Sequence, residues 1–357
     1  MQTAPLLKEL SEAPGISGYE EQIQSIVQGH FQHLADEVRV DKMGNLIGLK
    51  HGQPRDDAPR RSIMLAAHMD EIGLMVTKLE KGFVRFATVG GFDVRTLPGQ
   101  EVVVHGRTPL PGIIGSRPPH VLPPEERKKV TPLDHLFVDV GLSQNELAHS
   151  VRIGDLITLR GEFTELRDGY VSGKAFDDRA GVVSLIHCLH TLASMQHEWD
   201  VFAVATVQEE VGLRGAITSA YGIAPDIAIA VDVSFGKTPD LSEAETVETN
   251  KGPAINLGPN IHPLMHLRLV NTAEGYEIPY QTEPIPGRSG TDAWAIQVTR
   301  QGIPTALLSI PLRYMHTPVE VINVRDVERT GRLMAMFIAG LDEPFATELG
   351  LGPVAKP

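Results

Sequence analysis

Cysteine is almost absent. Cys188 stands alone among 357 residues, so no disulfide can form within the chain. It lies in Val182-Val-Ser-Leu-Ile-His-Cys-Leu189, which reads as the buried face of a helix, where a thiol packs as a small hydrophobe. Long uncharged apolar runs are missing too, and nothing reaches the length that spans a bilayer. The start, MQTAPLLKELSEAP, has neither the basic opening nor the apolar centre of a signal peptide. A cytoplasmic enzyme is the expectation. Positive charge is in deficit: 32 Lys and Arg against 45 Asp and Glu leave a formal net charge of −13. A nucleic acid or an anionic membrane needs a basic footprint, so neither is an expected partner. Aromatic residues make up only 5% of the chain, too few to favour a sugar-binding cleft.

What is present is an ordinary globular composition, 42% hydrophobic and 22% charged. The length allows two domains, or one with an insertion. Ser17-Gly-Tyr-Glu20 has the spacing of a capping box, and Ile23, Ile26, Val27, Phe31 and Leu34 follow at helical intervals, predicting a helix over about 18–34. Val38–Val40 and Leu46–Leu49 flank Asp-Lys-Met-Gly-Asn and read as a hairpin. The polar stretch 51–61 leads into a buried strand at 63–67.

From Gly73 to about Glu165 the pattern changes to short alternating runs, such as Phe83-Val-Arg-Phe, Glu101-Val-Val-Val and Asp155-Leu-Ile-Thr-Leu, broken by Gly and Pro. These predict a small β-barrel, with 124–129 as a charged surface loop. Strand and helix then alternate. Asp177 or Asp178 caps a helix to about Ser194, strands fall at 200–207, 226–233 and 305–310, and helices near 213–222, 291–300 and 325–341. The expected fold is α/β, a sheet sandwiched by helices, with the barrel inserted into it. Residues 1–71 and 166–357 would form a discontinuous catalytic domain, and 72–165 the insertion.

Several of these segments end in residues that bind metals. The strand at 63–67 leads to His68-Met-Asp70-Glu71, the next to Glu209-Glu210, a third to Asp232, and the last passes on to His316; Asp177-Asp178 opens a helix. Singly, each has an ordinary explanation as a cap, a turn or a solvated pair. Together they deliver His, Asp and Glu to one edge of the sheet, where open α/β folds bind ligands. A pair of divalent ions needs a shared carboxylate, further His and carboxylate donors, an acid that orients a histidine, and a free acid to carry a proton. His68, His316, Asp70, Asp177, Glu209, Glu210 and Asp232 supply those types. Nitrogen and oxygen donors without thiolate suit zinc, cobalt or manganese.

Six stretches carry a resemblance: Ala67-His-Met-Asp-Glu-Ile-Gly73, Lys174-Ala-Phe-Asp-Asp-Arg-Ala-Gly181, Gln208-Glu-Glu-Val-Gly212, Ala230-Val-Asp-Val233, Gly290-Thr-Asp-Ala293 and Arg313-Tyr-Met-His-Thr-Pro-Val-Glu320. With Val89-Gly-Gly-Phe-Asp93 and Gly115-Ser-Arg-Pro-Pro-His120, they resemble the tetrahedral aminopeptidases, a family of dinuclear metallopeptidases of the glutamyl or deblocking type. The resemblance covers nearly the whole chain, in order. It implies that Asp177 bridges two metals and that the peptide after it is cis. It further implies that His68 and Asp232 complete one ion's ligands and Glu210 and His316 the other's. Glu209 would be the general base and Asp70 would orient His68. Two divalent ions per subunit are expected, zinc or cobalt before manganese.

The resemblance also implies release of N-terminal amino acids from short peptides by a metal-activated water, and a homododecamer built from dimers through the barrel. The same centre could serve a deacylase or a carboxypeptidase. An endoglucanase would use carboxylates flanking a sugar without such a cluster, and a non-catalytic assembly protein would have lost part of the set. Arg288, in the loop before Thr291, is a candidate to line the specificity pocket and would favour an acidic side chain. Glu209 and Glu210, if extended, would point to opposite faces and divide the work.

Overall fold

The computed structural model describes residues 2–53, 60–125, 127–239 and 241–352. Part of the polar stretch 51–61 and residue 126 of the charged loop lie outside them. Helices α1 (Thr3–Glu12) and α2 (Glu21–Gln32) precede the hairpin β1 (Glu37–Val40) and β2 (Leu46–Lys50), and β3 (Ser62–His68) follows. Next come β4 (Gly73–Glu80), β5 (Phe83–Val89), β6 (Glu101–His105), β7 (Pro109–Gly115), β8 (Phe137–Asp139), α3 (Gln144–Ser150) and β9 (Leu156–Leu159). The chain continues through β10 (Thr164–Glu165), β11 (Tyr170–Gly173), α4 (Phe176–Leu192), β12 (Asp200–Thr206), α5 (Arg214–Ile223), β13 (Ile227–Phe235) and β14 (Ala254–Leu257). It ends with α6 (Pro263–Gly275), β15 (Gln281–Pro284), α7 (Asp292–Gln297), β16 (Thr305–Leu312), β17 (Glu320–Asn323), α8 (Val324–Ala339) and α9 (Glu343–Glu348).

The main sheet has the order β1-β2-β12-β3-β13-β16-β14-β15, with β12, β3, β13 and β16 parallel. Its central strands are buried on both faces, as parallel strands between helices must be. In β3, Ile63, Leu65 and Ala67 join the core formed with α1, α2, α4, α6 and α8, whereas Met64 and Ala66 join the core under α5 and α7. The same alternation runs through Val201 to Ala205 of β12 and Ile227 to Val231 of β13. Each buried Ile, Leu, Val or Met contributes about 1.5–3 kcal/mol relative to exposure, and this two-sided burial fixes the strand register.

Strands β4, β5, β8, β7, β6 and β9 close into the expected barrel around Leu74, Val84, Val102, Val138 and Ile157. One feature of it is additional to the sequence reading: α3, capped by Ser143 and Glu146 in a true capping box, packs Leu147 into the barrel core. Strand β10 pairs with β11, not with the barrel. No helix among the described residues is long and apolar enough to cross a membrane.

Two local expectations change. Helix α2 starts at Glu21, and Ser17 does not cap it: Ser17 Oγ donates to Asp70 Oδ2 at 2.6 Å, and Glu20 accepts from Gly18 N and Gln208 N. The spacing fits a cap, but a buried carboxylate is the stronger acceptor. Helix α7 ends at Gln297, short of 300.

Candidate metal centre

The strand phase that packs Met64 and Ala66 under α5 and α7 carries His68 to that face as well. On β13 the same phase runs from Ala228 and Ala230 to Asp232 and Ser234. Beside these positions opens a cleft of about 340 Å³, lined among others by His68, Asp177, Glu209, Glu210, Asp232 and His316. Asp232 sits inside β13, opposite Ser309 of β16, rather than at the strand's end.

Helix α4 brings its first turn to this cleft from the other face of the sheet. Asp177 and Asp178 have non-helical backbone angles, and the peptide between them is cis. The two oxygens of Asp177 face different histidines: Oδ1 is 3.1 Å from His68 Nε2 and Oδ2 is 3.1 Å from His316 Nε2. Glu210 Oε1 is 3.2 Å from that same His316 nitrogen, and Glu209 Oε2 is 4.0 Å from His68 Nε2. Candidate donor atoms of His68, Asp177 and Glu210 lie within 4.8 Å of one another, as do those of His68, Asp178 and Asp232.

The backbone around the cleft is held by acids. Asp70, fully buried, accepts from Glu209 N at 3.1 Å and Glu210 N at 3.3 Å. It also approaches His68 Nδ1, through its backbone oxygen at 3.2 Å and its carboxylate Oδ1 at 3.6 Å. Glu71 accepts from Gly15 N and Lys174 Nζ and stands 3.3 Å from Arg179 Nη2, which pins the loop after β3. Glu320 accepts from Asp177 N at 3.2 Å and His316 N at 2.9 Å, tying two segments 139 residues apart (316 − 177) to one carboxylate. The barrel reaches in at Gly90-Gly91, where a side chain on Gly91 would place its Cβ 3.4 Å from His316 Nδ1.

Glu209 and Glu210 lie beyond β12 in a turn, not on an extended strand. Gln208 has a positive φ, and Asp70 gathers the two following N–H groups, so a turn rather than strand alternation separates the two carboxylates.

Burial dominates the electrostatics. It pushes Glu209 up to about 10, with Asp232, Asp292 and Glu210 adding repulsion against the pull of His68. It raises Glu210, and it holds Asp178 and Asp232 well above the carboxylate range. Asp177 goes the other way, because hydrogen bonds from His316 and His68 overcome its burial. Burial would lower His316, yet Asp177 and Glu210 push it up to about 11. Asp178 Oδ2 and Asp292 Oδ1 are buried with no hydrogen-bond partner. Buried like charges short of counter-charge are costly. This donor set, two imidazoles and clustered carboxylates without thiolate, fits divalent cations.

All seven residues expected from the sequence, His68, Asp70, Asp177, Glu209, Glu210, Asp232 and His316, thus meet at one place. Arg288 does not join them: it is absent from the cleft wall, and its guanidinium lies over the Trp294 ring at 4.7 Å. That aromatic face is a favourable seat for a cation. Three residues of the centre went unassigned in the sequence. Asp178 accepts from Gly181 N, so its cap role hid its place beside Asp232. Asp292, buried at the start of α7, accepts from Thr206 Oγ1 at 2.6 Å. Glu320 closes a recognised motif but acts on backbone N–H groups, which carry no sequence signal.

The family model for M42 glutamyl aminopeptidases matches residues 44–333. The chain belongs to the M42 glutamyl aminopeptidase family. It is 39% identical to the lysyl aminopeptidase of Pyrococcus furiosus over 334 residues, 92% of this chain and 94% of that relative. A TET aminopeptidase from a marine sediment thaumarchaeon superposes with a TM-score of 0.92 at 34% identity, covering 97% of this chain and 99% of that one. The Pyrococcus horikoshii TET1 peptidase, described as assembling into a tetrahedron or a large octahedral shell, gives a TM-score of 0.83 at 35% identity over 95% of this chain and all of its own. This M42 family member is a metal-dependent aminopeptidase, and the metals its family implies are divalent.

Proposed function

We propose that two divalent cations, zinc or cobalt before manganese, bind between His68, Asp177, Asp232, Glu210 and His316. Asp177 would be shared, with His68 and Asp232 on one side and Glu210 and His316 on the other. The observation that carries this is Asp177, whose two oxygens each face a different histidine at 3.1 Å. When bound, such a pair polarises the scissile carbonyl and lowers the pKa of water toward about 7.

The chain's own groups do the rest. With both cations in place, their charge would offset the burial that raises Glu209, and its Oε2 would then accept a proton from the attacking water and deliver it to the leaving amine nitrogen, so that one C–N bond breaks as one C–O bond forms. Asp70 holds the His68 ring through Nδ1 and, by accepting from both N–H groups of the glutamate pair, fixes Glu209 relative to His68. Acids crowd the cleft, which favours the free α-ammonium group of a peptide over an internal segment and directs cleavage to the N-terminal residue of short peptides.

We further propose that residues 1–71 and the part after the barrel form the catalytic domain. The return crossing would fall ahead of β10, which pairs with β11. The barrel, whose Gly90-Gly91 turn flanks His316, would serve as lid and dimer contact, and dimers would assemble into a homododecamer, in keeping with the shells formed by the P. horikoshii relative. A single buried thiol suits the reducing cytoplasm. The relatives carry both lysyl and glutamyl names, so the cleft wall rather than the family sets the side-chain preference.

The test is Glu209→Gln. Hydrolysis of an aminoacyl-p-nitroanilide should fall by about 10²–10⁴-fold while both metals stay bound. An N-acetylated substrate should be inert with the wild type. Retained turnover in the variant would remove Glu209 as the base, and cleavage of the acetylated substrate would favour the deacylase reading.

A further inference from the structure

The wall of the cleft beyond Asp232 holds a carboxylate that the reaction does not use. Glu283, on β15, lines the same cavity as the metal-site residues. Its Oε1 accepts a hydrogen bond from Ser234 Oγ, and its Oε2 accepts from Asn256 Nδ2 at 2.8 Å. Asn256 Oδ1 in turn accepts from Ser309 Oγ at 2.9 Å. Ser234, Asn256 and Ser309 are all buried, and β14 pairs Asn256 directly with Glu283. The sheet thus builds a chain of donors whose end product is a carboxylate presented, half-buried, to the cleft.

Among the described residues, no Lys, Arg or His forms an ion pair with Glu283, and no Lys or Arg lines the cleft. A half-buried acid kept in place by neutral donors leaves room for an incoming cation. Its distance from the centre is set by the strand. Ser234 lies two residues beyond Asp232 on the same face of β13, which puts the two positions roughly 7 Å apart. The same cleft is lined by the apolar side chains of Ile285, Leu307 and Met315. A cleft with apolar wall residues and an unpaired acid matches a side chain with an aliphatic stem and a cationic tip.

We propose that Glu283 selects a lysine or arginine side chain at the N-terminal residue of the peptide. This rests on the aminopeptidase reading, with the reacting amide at the metal centre and the first side chain pointing along β13. Arg288, seated on Trp294, does not oppose it.

The experiment compares kcat/KM of the metal-loaded enzyme on lysyl-, norleucyl- and glutamyl-p-nitroanilide, for the wild type and Glu283→Gln. Lysine and norleucine share the same stem and differ by the ammonium group. The wild type should prefer lysyl over norleucyl, with glutamyl the poorest. In Glu283→Gln the lysyl-to-norleucyl ratio should drop about 10- to 100-fold, the size of a charge-assisted hydrogen bond, mostly through KM. The wild-type comparison stands alone should the variant fail to fold. A wild type that prefers glutamyl, or treats lysyl and norleucyl alike, overturns the proposal. So does a folded variant with full metal content that loses all three substrates equally, which would place Glu283 on the shared α-ammonium group. A metal-loaded wild type inert on every substrate would instead remove the aminopeptidase reading, and this proposal with it.

Discussion

Asp70 does not itself line the cleft, yet the geometry of the centre runs through it. It takes the hydroxyl of Ser17 and the N–H groups of Glu209 and Glu210, and it stands beside His68 Nδ1. Burial would raise its pKa, but His68, Ser17 and the Glu209 N–H outweigh that and hold it below the ordinary range, so it stays an acceptor. Asp70→Asn keeps the shape and removes the charge. Metal affinity should fall roughly 10–100-fold, as for other residues that orient a ligating histidine, and a competition titration with a chromogenic chelator measures it. Affinity equal to the wild type would show that the backbone oxygen of Asp70 alone orients the ring. Sequence reasoning found Asp70 because its neighbours His68 and Glu71 belong to one motif. It placed Ser17 on a helix end because a local pattern is legible, whereas an acceptor 53 residues away (70 − 17) is not.

Helix α4 shows which parts of an element a sequence reveals. Its apolar positions and its buried Cys188 follow from periodicity, but the irregular first turn that turns Asp177 into the cleft does not. Gly181 is part of that turn: a Cβ there would meet Asp178 Oδ2 at 2.2 Å. Gly181→Ala should therefore push Asp178 off its seat beside Asp232 and lower metal content and turnover together; unchanged metal content would contradict this. Further along, His187 packs between α1 and α8, with Thr3 Oγ1 at 2.7 Å and a close approach to Gly331. Burial lowers its pKa from 6.5 to about 4. Between those values the unfolded chain takes a proton that the folded chain refuses, so stability present above pH 6.5 is lost as the pH falls toward 4. His187→Gln should remove that part of the acid slope, a few degrees in melting midpoint, and parallel melting curves for the two proteins across this window would refute it.

Over the whole molecule, the strand–helix alternation, the buried central strands and the inserted barrel were legible because each rests on periodicity and on runs of fixed length, whereas the order of the strands in the sheet was not. The meeting of five separate segments at one cleft was legible only as a tendency of strand ends, and Glu320, Asp292 and the turn after β12 came from contacts between distant segments. The acid cluster ties folding to metal. Chelation should leave Asp177, Asp178, Glu209, Glu210 and Asp232 facing one another with only two histidines, and lower the melting midpoint with the logarithm of the free metal concentration. Assembly belongs to this scale as well: light scattering on the metal-loaded protein should give a mass near twelve subunits, and a monomer would remove the dodecamer. The most direct test of the account is to strip the metals and return them stepwise while following hydrolysis of an aminoacyl-p-nitroanilide. Activity should be absent without metal and reach its maximum as each subunit takes up its second equivalent. Full activity in the metal-free protein, or saturation at one equivalent, would contradict a centre of two ions around Asp177.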